Sequence, residues 1–140
     1  MKSHRFLEHT ADVLFEAEGE SFEEALEAAA DALLETVADT EKVKAKEKVE
    51  IKEKASDLGD LAVFVLSDIL SSMDADELFF KKFKVEEFRK KNEGYFLRGI
   101  AYGSPADPRI GRTVVKAVTH GMLKVEEKDG KWRIRILLDV

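Results

Sequence analysis

Apolar and polar residues alternate from Val13, with Val13, Phe15 and Ala17 on one side and Glu16 and Glu18 on the other. That period of two predicts a strand with one wet face. The period then lengthens, and Phe22, Leu26, Ala29, Leu33 and Val37 recur at helical spacing. Ser21 followed three residues later by Glu24 is a capping-box signature, so a helix is predicted over about Ser21 to Ala38. "KVKAKEKVEIKEKA" returns to period two, with Val43, Ala45, Val49 and Ile51 sharing a side. A second helix follows, capped by Ser56 or Asp57 and striped by Leu58, Leu61, Val65, Ile69 and Met73. Leu66 and Leu70 widen its stripe, and it ends near the acidic "MDADE".

From Leu78 onward the pattern is strand. "LFFKKFKVEEF" passes through the turn-forming "KNEG" into "YFLRGIAYG", a hairpin, with Phe79, Phe83 and Val85 predicted on one face. "TVVKAVTHGMLKVEEK" turns at Asp129-Gly130 into "KWRIRILLDV", and Asp-Gly between alternating runs is a strong hairpin signal. Both prolines, Pro105 and Pro108, fall in the loop "GSPADPRIGR". Two helices with one apolar face each, plus about seven strands, predict a single α+β domain over residues 1–140. The expected form is a two-layer sandwich, its two helices packed on one face of a mainly antiparallel or mixed sheet. Strand order does not follow from these patterns.

Composition narrows the function. A chain of 140 residues, 44% hydrophobic and 37% charged, is long enough to bury a core as one globular domain. No run approaches the ~20 apolar residues of a membrane span. The N-terminal "MKSHRFLEHT" lacks the apolar core of a secretory signal, so a cytoplasmic location away from membranes is expected. With no cysteine there is no disulfide framework, thiolate metal site or cysteine nucleophile. The net charge of −6 weighs against binding free nucleic acid, since such binding depends on neutralising phosphates with Lys and Arg. "FKKFKVEEFRKK" mixes Phe with cations, but Glu86 and Glu87 interrupt it, and it reads as a half-buried strand with a solvated charged side.

Chemistry gathers in "FLEHTADVLFEAEG", where Glu8, His9, Thr10 and Asp12 crowd the mouth of a strand. At the other end, "RIRILLDV" alternates Ile134, Ile136 and Leu138 with Arg133, Arg135 and Leu137, so Asp139 leaves that strand at its end. If the two strands are antiparallel neighbours, Asp12 and Asp139 meet at one sheet end. Two close carboxylates repel unless a cation stands between them, and a hard divalent ion with oxygen ligands would serve, with Val140 supplying further oxygen. Spacing leaves two readings open: such a site, or strand-end carboxylates that simply face water. His9 likewise reads as a ligand, a base or a hydrogen-bonded structural residue.

The chain as a whole resembles the archease family. "FLEHTADV", "EGESFEEALEAAADAL", "SDLGDLAVFVLSDIL" and "VVKAVTHGMLKVEEKDGKWRIRILLDV" follow in the family's order from residue 6 to the last residue. Archeases are small acidic α+β proteins that assist an RtcB-type RNA ligase in transfer-RNA splicing and are not known as enzymes. The resemblance implies a divalent metal, most often calcium with magnesium or manganese as alternatives, bound by Asp12, Asp139 and Val140. Glu8 and His9 would then support Asp12 by hydrogen bonds, and Thr10 could bond the turn backbone. The family's Lys-Ala-x-Thr is kept, with Lys116 expected to face the partner and Thr119 retained. His120 and Gly121 stand where the family usually has an aromatic residue and a histidine, a departure from the family's pattern in that region.

Three functional classes fit these residues. By resemblance, the first is a non-catalytic activator of the ligase, promoting its guanylylation and multiple turnover. A second is a metal-dependent hydrolase with Asp12 and Asp139 as ligands and His9 as base. The third is a general chaperone or adaptor whose metal is only structural.

Overall fold

A computed structural model describes residues 1–8 and 11–140; His9 and Thr10 lie outside the described residues. Seven strands and two helices run in the order β1 (Ser3–Leu7), β2 (Val13–Gly19), α1 (Phe22–Val37), β3 (Glu47–Ala55), α2 (Leu58–Asp76), β4 (Leu78–Lys91), β5 (Gly94–Pro105), β6 (Ala117–Lys128) and β7 (Lys131–Asp139). They form an α+β sandwich. The strands divide into a four-stranded sheet, β1-β2-β7-β6, and a three-stranded sheet, β3-β5-β4. Every pairing is antiparallel. Helix α1 packs on β2 and β4, and α2 on β3 and β6, so each helix spans both sheets.

Local chemistry sets the helix ends as expected. The Ser21 hydroxyl accepts from the Glu24 N–H at 3.1 Å, and the Glu24 carboxylate accepts from the Glu20 N–H at 3.2 Å. Asp57 rather than Ser56 caps α2, accepting from the Asp60 N–H at 2.8 Å. Of the residues that define the helical stripes, Phe22, Leu26, Leu33, Leu61, Val65 and Ile69 are all buried. They meet Phe15, Ala17, Ile134, Ile136 and Leu138 from the inner face of β2 and β7. No described helix is long and apolar enough to cross a membrane.

Three readings of the pattern need correction. The period-two run from Lys42 begins pairing only at Glu47, because Thr40–Lys42 form a 3-10 turn and Val43 is its buried cap. The run at 113–128 joins its sheet only from Ala117; Thr113 instead donates its N–H to the Thr36 carbonyl beside α1. On β4 the buried rings are Phe80 and Phe83, not Phe79 and Phe83. A register shift between Phe80 and Lys82 inserts one residue, and an inserted residue reverses which parity faces inward. β1, unannounced by any alternation, edges the first sheet.

Candidate metal centre at one end of the first sheet

The register of β2 and β7 brings the two singled-out carboxylates to the same sheet end. Val13 is paired with Leu138, and that register carried one residue further sets Asp12 opposite Asp139. Phe15 and Ile136 face the core, so Asp12 and Asp139 fall by alternation on the opposite, outer side. Asp12 is half-buried and Asp139 exposed, while Val140 tucks against the core. Glu8 lies just past the end of β1, where Leu7 pairs with Leu14, so it belongs to this end as well. His9, the remaining predicted neighbour of Asp12, is outside the described residues.

Lys116 arrives from the other side. Its N–H donates to the Asp139 carbonyl at 2.7 Å, and Ala117 then pairs with Asp139 to begin β6. That bond uses the Asp139 backbone oxygen and leaves its carboxylate free, while the exposed Lys116 side chain emerges beside it. Further along β6, the Thr119 hydroxyl donates to the Leu137 carbonyl at 3.1 Å and accepts from the Gly121 N–H at 3.2 Å. The ladder is then interrupted between Thr119 and Lys124. His120 sits in this interruption with Nε2 3.1 Å from Asp60 Oδ1, on the first turn of α2. This contact between the altered family position and α2 carried no signal in the pattern, because 60 residues separate the partners.

Charge is arranged differently along the same outer face. Arg5 binds Glu16 at 2.8 Å and holds its carboxyl below the usual range, helped by Arg133 and Arg135. Arg133 also binds Glu18 at 2.7 Å. Among the described residues, no cationic side chain stands within ion-pair distance of Asp12 or Asp139.

Comparison with known proteins identifies the lineage. The sequence model of the Archease protein family matches residues 4–140. The chain belongs to the archease family. It is 38% identical to the protein archease of Methanosarcina mazei over 99% of this chain and 97% of that one. Its identity to the protein archease of Sulfolobus acidocaldarius is 39%, over the full length of both. The solution structure of Methanobacterium thermoautotrophicum protein 1598 superposes with a TM-score of 0.85 at 32% identity, covering 98% of each chain. A Thermotoga maritima archease, described as a possible chaperone, shares the fold at a TM-score of 0.62 and 21% identity, over 96% of this chain and 94% of that one.

The donor set at the sheet end suits a hard divalent cation. Two carboxylates and the backbone oxygen of Val140 are oxygen donors, the ligand type of calcium, magnesium and manganese rather than zinc. Among the described residues, no group of three or more Asp, Glu, His or Cys side chains clusters closely enough to hold a metal. Glu8 therefore does not complete a side-chain triad, and backbone oxygen and water would fill the remaining positions.

Proposed function

We propose that the protein is a non-catalytic, metal-binding activator of an RtcB-type RNA ligase, working in the cytoplasm to promote ligase guanylylation and multiple turnover in transfer-RNA splicing. The observation that supports this reading best is the shared end of β2 and β7, where Asp12 and Asp139 stand opposite each other with Lys116 bonded to the Asp139 backbone. Asp12, Asp139 and Val140 would hold the ion, calcium by preference. Once bound, the ion neutralises the paired carboxylates and leaves a compact polar tip. Lys116 beside it offers a cation to the ligase. An activator of this kind acts by binding one ligase conformation better than another, and a preference of about a hundredfold corresponds to ~2.7 kcal/mol of bias.

The test is a multiple-turnover ligation assay with a guanylylation time course, run with and without the protein. Faster guanylylation that is lost on chelation supports the reading; no effect on either overturns it. A second reading, a chaperone or adaptor with a structural metal, draws on the description of the Thermotoga maritima relative as a possible chaperone. Ligase binding that survives loss of the metal would favour it. A metal-dependent hydrolase would instead show turnover of RNA or nucleotides with the protein alone.

A further inference from the structure

The charge of the chain is not spread evenly. On β5, Leu97, Gly99, Ala101 and Gly103 point inward, which leaves Phe96, Arg98, Ile100 and Tyr102 on the outer face of the second sheet. Register fixes their neighbours. Tyr102 lies between Lys48 of β3 and Lys82 of β4, and Ile100 between Glu50 and Lys84. Arg98 lies between Lys52 and Glu87, Phe96 between Lys54 and Arg89, and Lys91 follows opposite Gly94. This face thus carries eight cations and two carboxylates in a chain whose net charge is −6.

Both carboxylates are already occupied. Glu87 binds Arg89 at 2.9 Å and reaches Arg98 at 3.8 Å, and Glu50 lies 3.9 Å from Arg98. Among the described residues, the lysines of the face make no ion pair, so their charge is presented to solvent. Cations also bracket the rings. Lys82 and Lys48 stand 5.1 and 5.8 Å from the Tyr102 ring centre, and the Arg89 guanidinium lies 5.1 Å from that of Phe96. Six residues of strand separate the two rings by ~20 Å. At the Phe96 end the face opens into a groove of about 830 Å³ whose lining includes Lys52, Lys54, Arg89 and Lys91 together with Glu53 and Glu93.

We propose that the outer face of the β3-β5-β4 sheet binds single-stranded nucleic acid. The occupant follows from chemistry. Two half-buried rings with cations on both sides offer bases a flat surface and their phosphates a counter-charge, the combination that single-strand-binding surfaces use. A paired duplex cannot lay its bases on Phe96 and Tyr102, whereas an unpaired strand can. The whole-chain charge argues for no binding to free nucleic acid; this proposal departs from that expectation for one face only. It does not rest on the ligase reading, since Asp12 and Asp139 belong to the other sheet.

Fluorescence anisotropy of the full chain with a labelled single-stranded RNA of about 12 nucleotides tests it, with parallel arms of matching DNA, RNA duplex and polyglutamate. Binding to the single strands should weaken at least about tenfold between about 50 and about 200 mM salt. The double variant Lys52→Glu, Lys84→Glu should weaken binding at least about tenfold, with the milder Lys52→Gln, Lys84→Gln and circular dichroism guarding against misfolding. Tyr102→Leu keeps every charge and should lose about fivefold or more with an unchanged salt slope. Asp12→Asn should bind the strand as the unmodified protein does. No binding at low salt, equal affinity for duplex, or insensitivity to Tyr102→Leu each overturns the proposal. Tighter capture of polyglutamate than of RNA also overturns it, and assigns the face to an acidic protein surface instead.

Discussion

The Lys116 N–H bonds the Asp139 carbonyl at 2.7 Å, tying the entry of β6 to the exit of β7 at the point where Asp12 enters β2. Three strands thereby end together, and the Asp139 backbone is held from the β6 side while Leu138 before it pairs with Val13 of β2. If Asp12 and Asp139 share a cation, Asp12→Asn and Asp139→Asn should each weaken calcium binding at least about tenfold in calorimetry, since each removes a formal charge from the shell. Glu86→Gln, on an exposed bulge of β4, is the control and should bind as before. Equal affinity in all three variants would end the metal assignment.

Because the bond from Lys116 is made by its backbone, its side chain is available to act separately. Lys116→Ala should leave calcium affinity and thermal stability within error while slowing ligase guanylylation. A loss of both together would mean that the side chain supports the sheet end and does not meet the partner.

Alternation made the sheet-end positions of the two carboxylates legible, while their role as metal ligands came only from the family resemblance. Ile134, Ile136 and Leu138 fixed the parity of Asp139, and Val13 and Phe15 fixed that of Asp12. What alternation does not encode is which strands are neighbours, so the meeting of the two carboxylates was conditional until β2 and β7 were seen to pair. Bulges were invisible for a related reason. The extra residue near Phe80 is set by how β4 bends over β5, a matter of tertiary packing. The basic face was hidden because its charges come from three strands, and within "FKKFKVEEFRKK" the two glutamates mask lysines that register later places beside Tyr102 and Ile100.

The inner face of β5 explains how the Phe80 and Phe83 rings fit. A Cβ on Gly99 would lie 2.5 Å from the Phe83 ring and 2.7 Å from the Lys84 carbonyl, so the ring occupies the space a side chain would take. Gly99→Ala should therefore destabilise by about 1–3 kcal/mol, as overpacking does in a closed core. Leu33→Ala, which empties a site instead, should cost about 2–5 kcal/mol. Chemical denaturation measures both; a neutral Gly99→Ala would show that β4 can slide away from β5.

Glu53 shares the inner side of β3 with Ile51, facing α2 across from Asp68. Burial raises its carboxyl pKa from 4.5 to about 7, and the hydrogen bond and charge of Asp68 push it the same way. Asp68 is itself held by the Ser72 hydroxyl at 3.2 Å. A carboxyl whose pKa is higher folded than unfolded binds its proton more tightly in the fold. Its contribution to stability is thus complete below about pH 4.5 and is lost as pH rises through about 7. Glu53→Gln keeps the neutral shape at every pH. It should match the unmodified protein near pH 5 and exceed its Tm near pH 8.5 by about 2 °C or more, the gap opening between those values. Asp68→Asn removes the repelling charge and should narrow the same pH dependence. A Tm difference that stays constant across the range would show that Glu53 ionises as it does in water and that the pair exerts no strain on α2.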